Sequence, residues 1–582
     1  MKKLASIFIL SILMLVACNR SAPDMTTTFE KSGYLETDSY EGTIAYAKKL
    51  AKQFKQVHYE VVGTSAAGRD LPLLIIDENG YTDPAKIRKS GKVILLVESC
   101  IHAGEPNGKD AMFMMLKNML ADSTDLDLLE DFSILFIPVL SPDGLAKFSP
   151  YNRINQNGPK EMGWRVNAAG LNLNRDFTKL QSPEIRAFVE VFNRWQPDLF
   201  FDTHATDGAD YQYTTTYAIE DFGNYDAGIT RWLSEVWEKR IPTAMARYDI
   251  PITRYIEFQI WGDPASALVD HSFSAMFSES YTTARNCPGI LLETHMLKPY
   301  KDRVFSTYYM ILETMKLIRD DKAEFLEVVA QAKENDLKQK EIPINMQASS
   351  EDTLWVDFLG YAYEKKRSEI SGSEYVVYDP SRPETRKVLK IRESKPTKTL
   401  EVPKAYVIPA QYIDVIDVVK AHGFKVETFS KDKTMEVSTY RFSDVHFYPV
   451  PSEGLSRISS FVTEPITREV TFPKGSVMVK TDQNGVRLLM NLLEPEMQGS
   501  LLEWGFFNTI FQRVEYFETY KMEAMARQML DDDPLLGLQF QDWLKTFPNG
   551  SRPSTYQILN WFYEKTPYCD DNYMVYPVGI VR

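Results

Sequence analysis

From residue 40 onward, apolar positions recur with two alternating periods, near 3.6 and 2, as in an α/β domain. Residues 44–54 carry helical spacing, and 59–62 and 71–76 read as strands on either side of the turn 63–68. The run 93–97 is wholly apolar and of strand length. Residues 109–120 return to helical spacing, with Met, Phe and Leu on the inward face. Residues 134–140 form a further strand, closed by the turn Ser141-Pro-Asp-Gly144. Pro183-Glu184 opens a helix, and 199–201 and 290–292 are short apolar strands. A charged helical tract from 308 to about 340 ends the first domain. Beyond it, 375–402 alternates like antiparallel strands. A strand–helix–strand unit follows at 406–408, 412–421 and 424–429, then strands near 469–472 and 476–480 and a helical tail over 487–529. The expected fold is an α/β domain over 36–345 followed by a smaller α+β region over 346–582.

The first residues stand apart from this pattern. Lys2 and Lys3 precede an apolar run at 4–16 that is too short to span a bilayer and suits the core of a signal peptide. Leu15-Val-Ala-Cys18 then resembles a bacterial lipobox, which implies cleavage after residue 17 and lipidation of Cys18. The segment 18–35 is polar and aperiodic, as expected of a tether. This predicts an exported lipoprotein held at the periplasmic face of a membrane or at the cell surface. The formal charge of −14 argues against a nucleic-acid partner, which would call for a basic patch. Four cysteines without a C-x-x-C pair form no disulfide framework, so stability must come from core size.

Candidate chemistry lies at strand ends. The strand 93–97 runs into His102 and Glu105, and 199–201 into Asp202-Thr-His204. The strand 290–292 runs directly into Glu293-Thr-His295. Ligands of open α/β sheets bind beyond the carboxyl ends of the strands. If these strands share a sheet, two histidines and a glutamate converge as a catalytic-zinc set. Glu293, adjoining an apolar strand, would be costly to bury unless it faced such a crevice, where it would serve as a general base. His295 competes with His204 as the third ligand but ranks below it, as a packing or supporting residue. His58, His271, His422 and His446 have no partner pattern. Trp164-Arg165 and Asn174-Arg175 offer guanidinium groups suited to carboxylates and oxyanions.

In their order along the chain, these residues resemble the zinc metallocarboxypeptidases of the carboxypeptidase A type, over roughly residues 40–310. The resemblance implies a mixed central sheet flanked by helices and one Zn2+ per chain on His102, Glu105 and His204. Glu293 would be the base that takes a proton from a zinc-activated water, and Arg165 would stabilise the oxyanion. Asn174 and Arg175 would grip the free C-terminal carboxylate of a peptide substrate. Gly104 stands where digestive members carry an arginine, and Asn172 where an aspartate supports a metal histidine. Tyr281 is the nearest candidate for the family's mobile tyrosine, although it lies closer to Glu293 than the family spacing. Two alternatives keep the fold: an amidase or peptidase acting on cell-wall muropeptides, and a zinc-free binding lipoprotein. Serine hydrolysis lacks a G-x-S-x-G motif.

Overall fold

The computed structural model describes residues 24–206, 208–547 and 552–582. The leader and Cys18 lie outside them. The sheet strands, in chain order, are β1 (Val57–Thr64), β2 (Asp70–Ile76), β3 (Val93–Ser99), β4 (Phe132–Ile137), β5 (Leu199–Thr206), β6 (Thr215–Ile219), β7 (Ile252–Arg254), β8 (Glu257–Phe258), β9 (Leu268–Asp270) and β10 (Gly289–His295). Eight of them form one mixed sheet in the order β1-β2-β4-β3-β5-β10-β6-β7. Its centre, β4-β3-β5-β10, is entirely parallel. The outer pairs β1–β2, β2–β4 and β10–β6 are antiparallel. Parallel strands are covered on both faces, which is why β3, β4 and β5 carry the apolar runs 93–97, 134–137 and 199–201 and are buried throughout.

Alternation along β3 divides the core in two. Val93, Leu95 and Val97 face the helices Asn107–Ala121 and Tyr300–Asp320, whereas Ile94 and Leu96 face the helix Pro183–Trp195. The second face continues without a break into the C-terminal region. Phe188 and Phe192 share one apolar cluster with Tyr406, Val415, Val419 and Leu488.

Residues 346–582 are therefore not a body set apart from the 36–345 domain. Their long hairpin, Thr353–Arg367 with Glu374–Arg392, joins β9 in parallel through Lys390↔Leu268 and Arg392↔Asp270. Charge seals that seam. Arg254 Nη2 lies 2.6 Å from Asp221 Oδ2, Arg392 Nη2 is 2.8 Å from Asp221 Oδ1, and Lys390 Nζ is 3.1 Å from Asp270 Oδ2. A six-stranded sheet follows, built around Ala405–Ile408 and including the hairpin Lys433–Phe447 with Ile458–Phe472. The change in texture near 345 marks a change of element type, not of core.

Three expected elements differ from the structure. The tether is docked from residue 25 on. Thr27 and Glu30 form a capping box on the short helix Thr28–Lys31, and Met25 and Phe29 are buried, Phe29 edge-on to Tyr300. The tract 308–340 is two helices, Tyr300–Asp320 and Lys322–Asp336, broken at Asp321. The tail over 487–529 stops at Leu493, where Pro495 follows, and apart from a short 3-10 helix at Asn508–Phe511 it is helical again from Thr519.

Candidate metal centre and substrate cleft

Strand order places the site. From β3 the sheet extends to β4 on one side and to β5 on the other, so the crevice between β3 and β5 is a topological switch point. The chain leaves β3 through Cys100, whose φ of 59° turns it sharply. Leu140 N donates to Ser99 O and Ser141 N to Cys100 O, at 3.0 Å each, which pins the loop after β3 to the loop after β4. His102 and Glu105 share one tight turn, closed by Glu105 N to His102 O at 2.9 Å. A Cβ at Gly104 would lie 2.9 Å from both the Arg153 stem and Gly163 O, so the arginine of digestive members has no room here. Gly108 lets the next helix press against β5, since its Cβ would fall 1.9 Å from Thr203 Oγ1. On the far side, the β5–β10 register sets Glu293 beside His204.

Ligand atoms of His102, Glu105 and His204 all lie within 4.8 Å of one another, and all three residues are buried. The hydrogen bonds around them fix which atoms face inward. Asn172 Oδ1 accepts from the backbone N of Asn174 at 3.2 Å, so the oxygen also faces His102 Nε2, 2.8 Å away, and that nitrogen must donate. Asp202 Oδ2, 2.7 Å from His204 Nε2, likewise requires a donor. Both Nδ1 atoms are thereby turned toward Glu105, at 3.3 Å from Oε1 for His102 and 3.1 Å from Oε2 for His204. His102 Nδ1 is buried and takes part in no hydrogen bond. Three potential ligand atoms converge on one point, and two imidazoles with one carboxylate match zinc.

The electrostatics agree. Burial opposes the charge on Glu105, yet Arg153 Nη1 at 2.8 Å and the two histidines hold its carboxyl well below the usual range. Burial lowers His102 to about 4 and keeps it neutral. For His204 burial acts in the same direction, but Asp202 and Glu293 outweigh it and raise the ring well above its ordinary value. Burial pushes Glu293 up to about 8, against the pull of His204 and with the help of Glu105 and Asp202. Its Oε2 is buried without a hydrogen-bond partner.

Two cavities meet at these residues. The larger, about 780 Å³, is bordered by His102, Arg165, Asn174, Arg175, His204 and Glu293. Its outer wall comes from Phe258 and Trp261 and, across the chain, from Glu374, Tyr375 and Tyr378 of the C-terminal hairpin. The smaller, about 380 Å³, lies beyond Glu105, Arg153 and Arg165. Arg165, with a half-exposed side chain, reaches to 3.4 Å from Glu105 Oε1 and borders both. Arg175 stacks 4.2 Å over Phe277 and donates to Asn174 O at 2.6 Å. Asn174 Oδ1 accepts from Ser278 N at 3.0 Å, and its Nδ2 lies 3.5 Å from His204 Nε2.

The seven residues singled out for the site from sequence (His102, Glu105, Arg165, Asn174, Arg175, His204 and Glu293) thus line one crevice. Tyr281 does not join them. It is fully buried against Phe177, with its hydroxyl 3.1 Å from both His422 Nδ1 and Arg285 Nη1. Tyr255, just after β7, borders both cavities instead. His295 spends its ring nitrogens on Ala209 O and Leu297 N, so it packs and does not ligate. Sequence reasoning also missed Arg153 and the support given by Asp202. Arg153 lies on an aperiodic loop that offers no signal. Asp202 was visible, two residues before His204 on one strand and therefore on the same face.

Comparison with known proteins agrees with this geometry. Residues 43–307 match the zinc carboxypeptidase family, Peptidase_M14. That match spans the segment that carries His102, Glu105, Arg165, Asn174, Arg175, His204 and Glu293. It is 22% identical over 497 residues to Carboxypeptidase 2 of Trichophyton rubrum, an alignment covering 81% of this chain and 84% of that one. Among solved structures, a metallo-carboxypeptidase from Burkholderia cenocepacia is similar at 16% identity and a TM-score of 0.37, covering 48% of this chain and 69% of that one. The carboxypeptidase A of Helicoverpa armigera is similar at 17% identity and a TM-score of 0.37, covering 56% and 80%.

Proposed function

We propose that the protein is a carboxypeptidase that holds one zinc ion on His102, Glu105 and His204 and removes residues from the free C-terminus of peptides. The observation that carries this reading is the pair of inward Nδ1 atoms converging beside the Glu105 carboxylate. Zinc, when bound, makes a water acidic and polarises a carbonyl. The chain supplies the rest. Glu293, with a carboxylate oxygen unpartnered in the crevice, takes the water's proton and passes it to the departing amine. Arg165 offers N–H donors to the oxygen that gains charge as the carbonyl is attacked. Asn174 and the Arg175 fork bind the terminal carboxylate and hold the peptide in register. The same proposal includes export and a lipid anchor at Cys18.

The test is metal analysis of the purified protein together with hydrolysis of matched peptides bearing free or amidated C-termini. One zinc per chain, and at least tenfold faster cleavage of the free form, are expected. A wild-type protein without zinc affinity, or equal cleavage of both peptides, would overturn the reading.

A further inference from the structure

The loop that carries the proposed carboxylate grip is held from the C-terminal region. Asn172, the residue that orients His102, donates its backbone N–H to Glu453 Oε2 at 2.7 Å. Two further contacts bind the same loop. His422 Nε2 donates to Thr178 O at 3.2 Å, and Lys179, buried and paired with Asp176 at 2.7 Å, sits 4.9 Å over the ring of Trp504.

Glu453 is unusual in its own right. It stands with Gly454 at the tip of a tight turn closed by reciprocal hydrogen bonds between Ser452 and Leu455. Both tip residues have positive φ, 51° and 75°. Such a turn favours Asn, Asp or Gly at its first tip position, and a glutamate there sits in a backbone region that L residues rarely adopt. A non-glycine residue kept in such a conformation, with its carboxylate engaged beside an active site, points from strain to function.

We propose that Glu453 is a positioning residue for the proposed carboxypeptidase site. Its carboxylate fixes the backbone of Asn172. Asn172 Oδ1 in turn accepts from His102 Nε2 and from Asn174 N. One hydrogen bond from the C-terminal region thus sets both the tautomer-defining partner of a zinc histidine and the start of the Asn174-Arg175 grip. The charge of Glu453 also acts on Arg175 and helps keep it cationic against its burial. The region beyond the family match becomes part of the catalytic apparatus.

The experiment compares full-length wild type with Glu453→Ala and Glu453→Gln. Zinc affinity is measured by chelator competition, kcat and KM on a free-C-terminus peptide, and fold by circular dichroism. Loss of an outer partner of a metal ligand weakens binding by about tenfold or more. In Glu453→Ala, zinc affinity should fall and KM should rise, each about tenfold, with kcat changed much less. Gln keeps an acceptor oxygen and should restore most of both. Should Ala fail to fold, Glu453→Asp, one methylene too short to reach, takes its place. Wild-type zinc affinity and KM in the truncated variant would overturn the proposal, as would equal loss in Ala and Gln. The proposal rests on the carboxypeptidase reading only for KM. If the wild type cleaves no peptide, that reading fails while the zinc comparison still decides the role of Glu453.

Discussion

At the scale of single residues, the crevice is a problem of like charges brought together. Glu105 and Asp202 both raise the cost of ionising Glu293, while Glu105 itself has two arginines within ion-pair distance. Glu293 Oε2 is buried without a hydrogen bond, as is Asp202 Oδ1, and the Glu293 carboxyl is lifted to about 8. A dication on the neighbouring ligands favours its charged form and brings the value down again. A base works only when deprotonated, so activity must fall as pH drops through this ionisation. The acid limb of kcat/KM against pH should therefore lie between the ordinary carboxylate value of 4.5 and about 8. A limb well below 4.5 would remove Glu293 as the base.

At the scale of elements, the short helix Thr28–Lys31 shows how little chain is needed to secure an edge. Its capping box, Thr27 with Glu30, brackets Phe29, which is 1% exposed and packed against Tyr34, Tyr300 and Phe305. Phe29→Ala should cost about 3–5 kcal/mol, read as a lower midpoint in urea at unchanged slope. An unchanged midpoint would mean that the segment is a passive tether. The signal was present in Thr27-x-x-Glu30, but one helical turn leaves no periodicity to detect. The long central strands were legible for the opposite reason, because burial on both faces writes itself as an unbroken apolar run. His102, Glu105, His204 and Glu293 were legible because each lies at or just past such a strand. Arg153, Tyr255 and Glu453 were not, since irregular loops and tertiary contacts bring them in. The break at Asp321 was hidden as well, because charged residues continue the helical pattern across it.

At the scale of the whole molecule, the two faces of the main sheet have different partners. One is closed by helices of the same domain, the other by a helix that shares its apolar surface with the C-terminal region. Residues 346–582 thus support the catalytic domain along its core, its strand β9 and its cleft. The leader adds the last level. If Cys18 is acylated after export, labelled fatty acid should enter the protein in cells and be absent from Cys18→Ala. Equal labelling of the two would rule out the anchor.

The outer wall of the larger cavity, made of Tyr375, Tyr378 and Glu374, belongs to a hairpin that begins some way beyond the last residue of the family match. The walls of the proposed peptide cleft are therefore written in two separate stretches of the gene. On the proposed function, a change near the hairpin tip would alter which peptides fit while leaving the proposed zinc ligands and base in place. Preference can drift by small steps while the hydrolytic centre stays intact, a division that lets one catalyst be retuned to new diets.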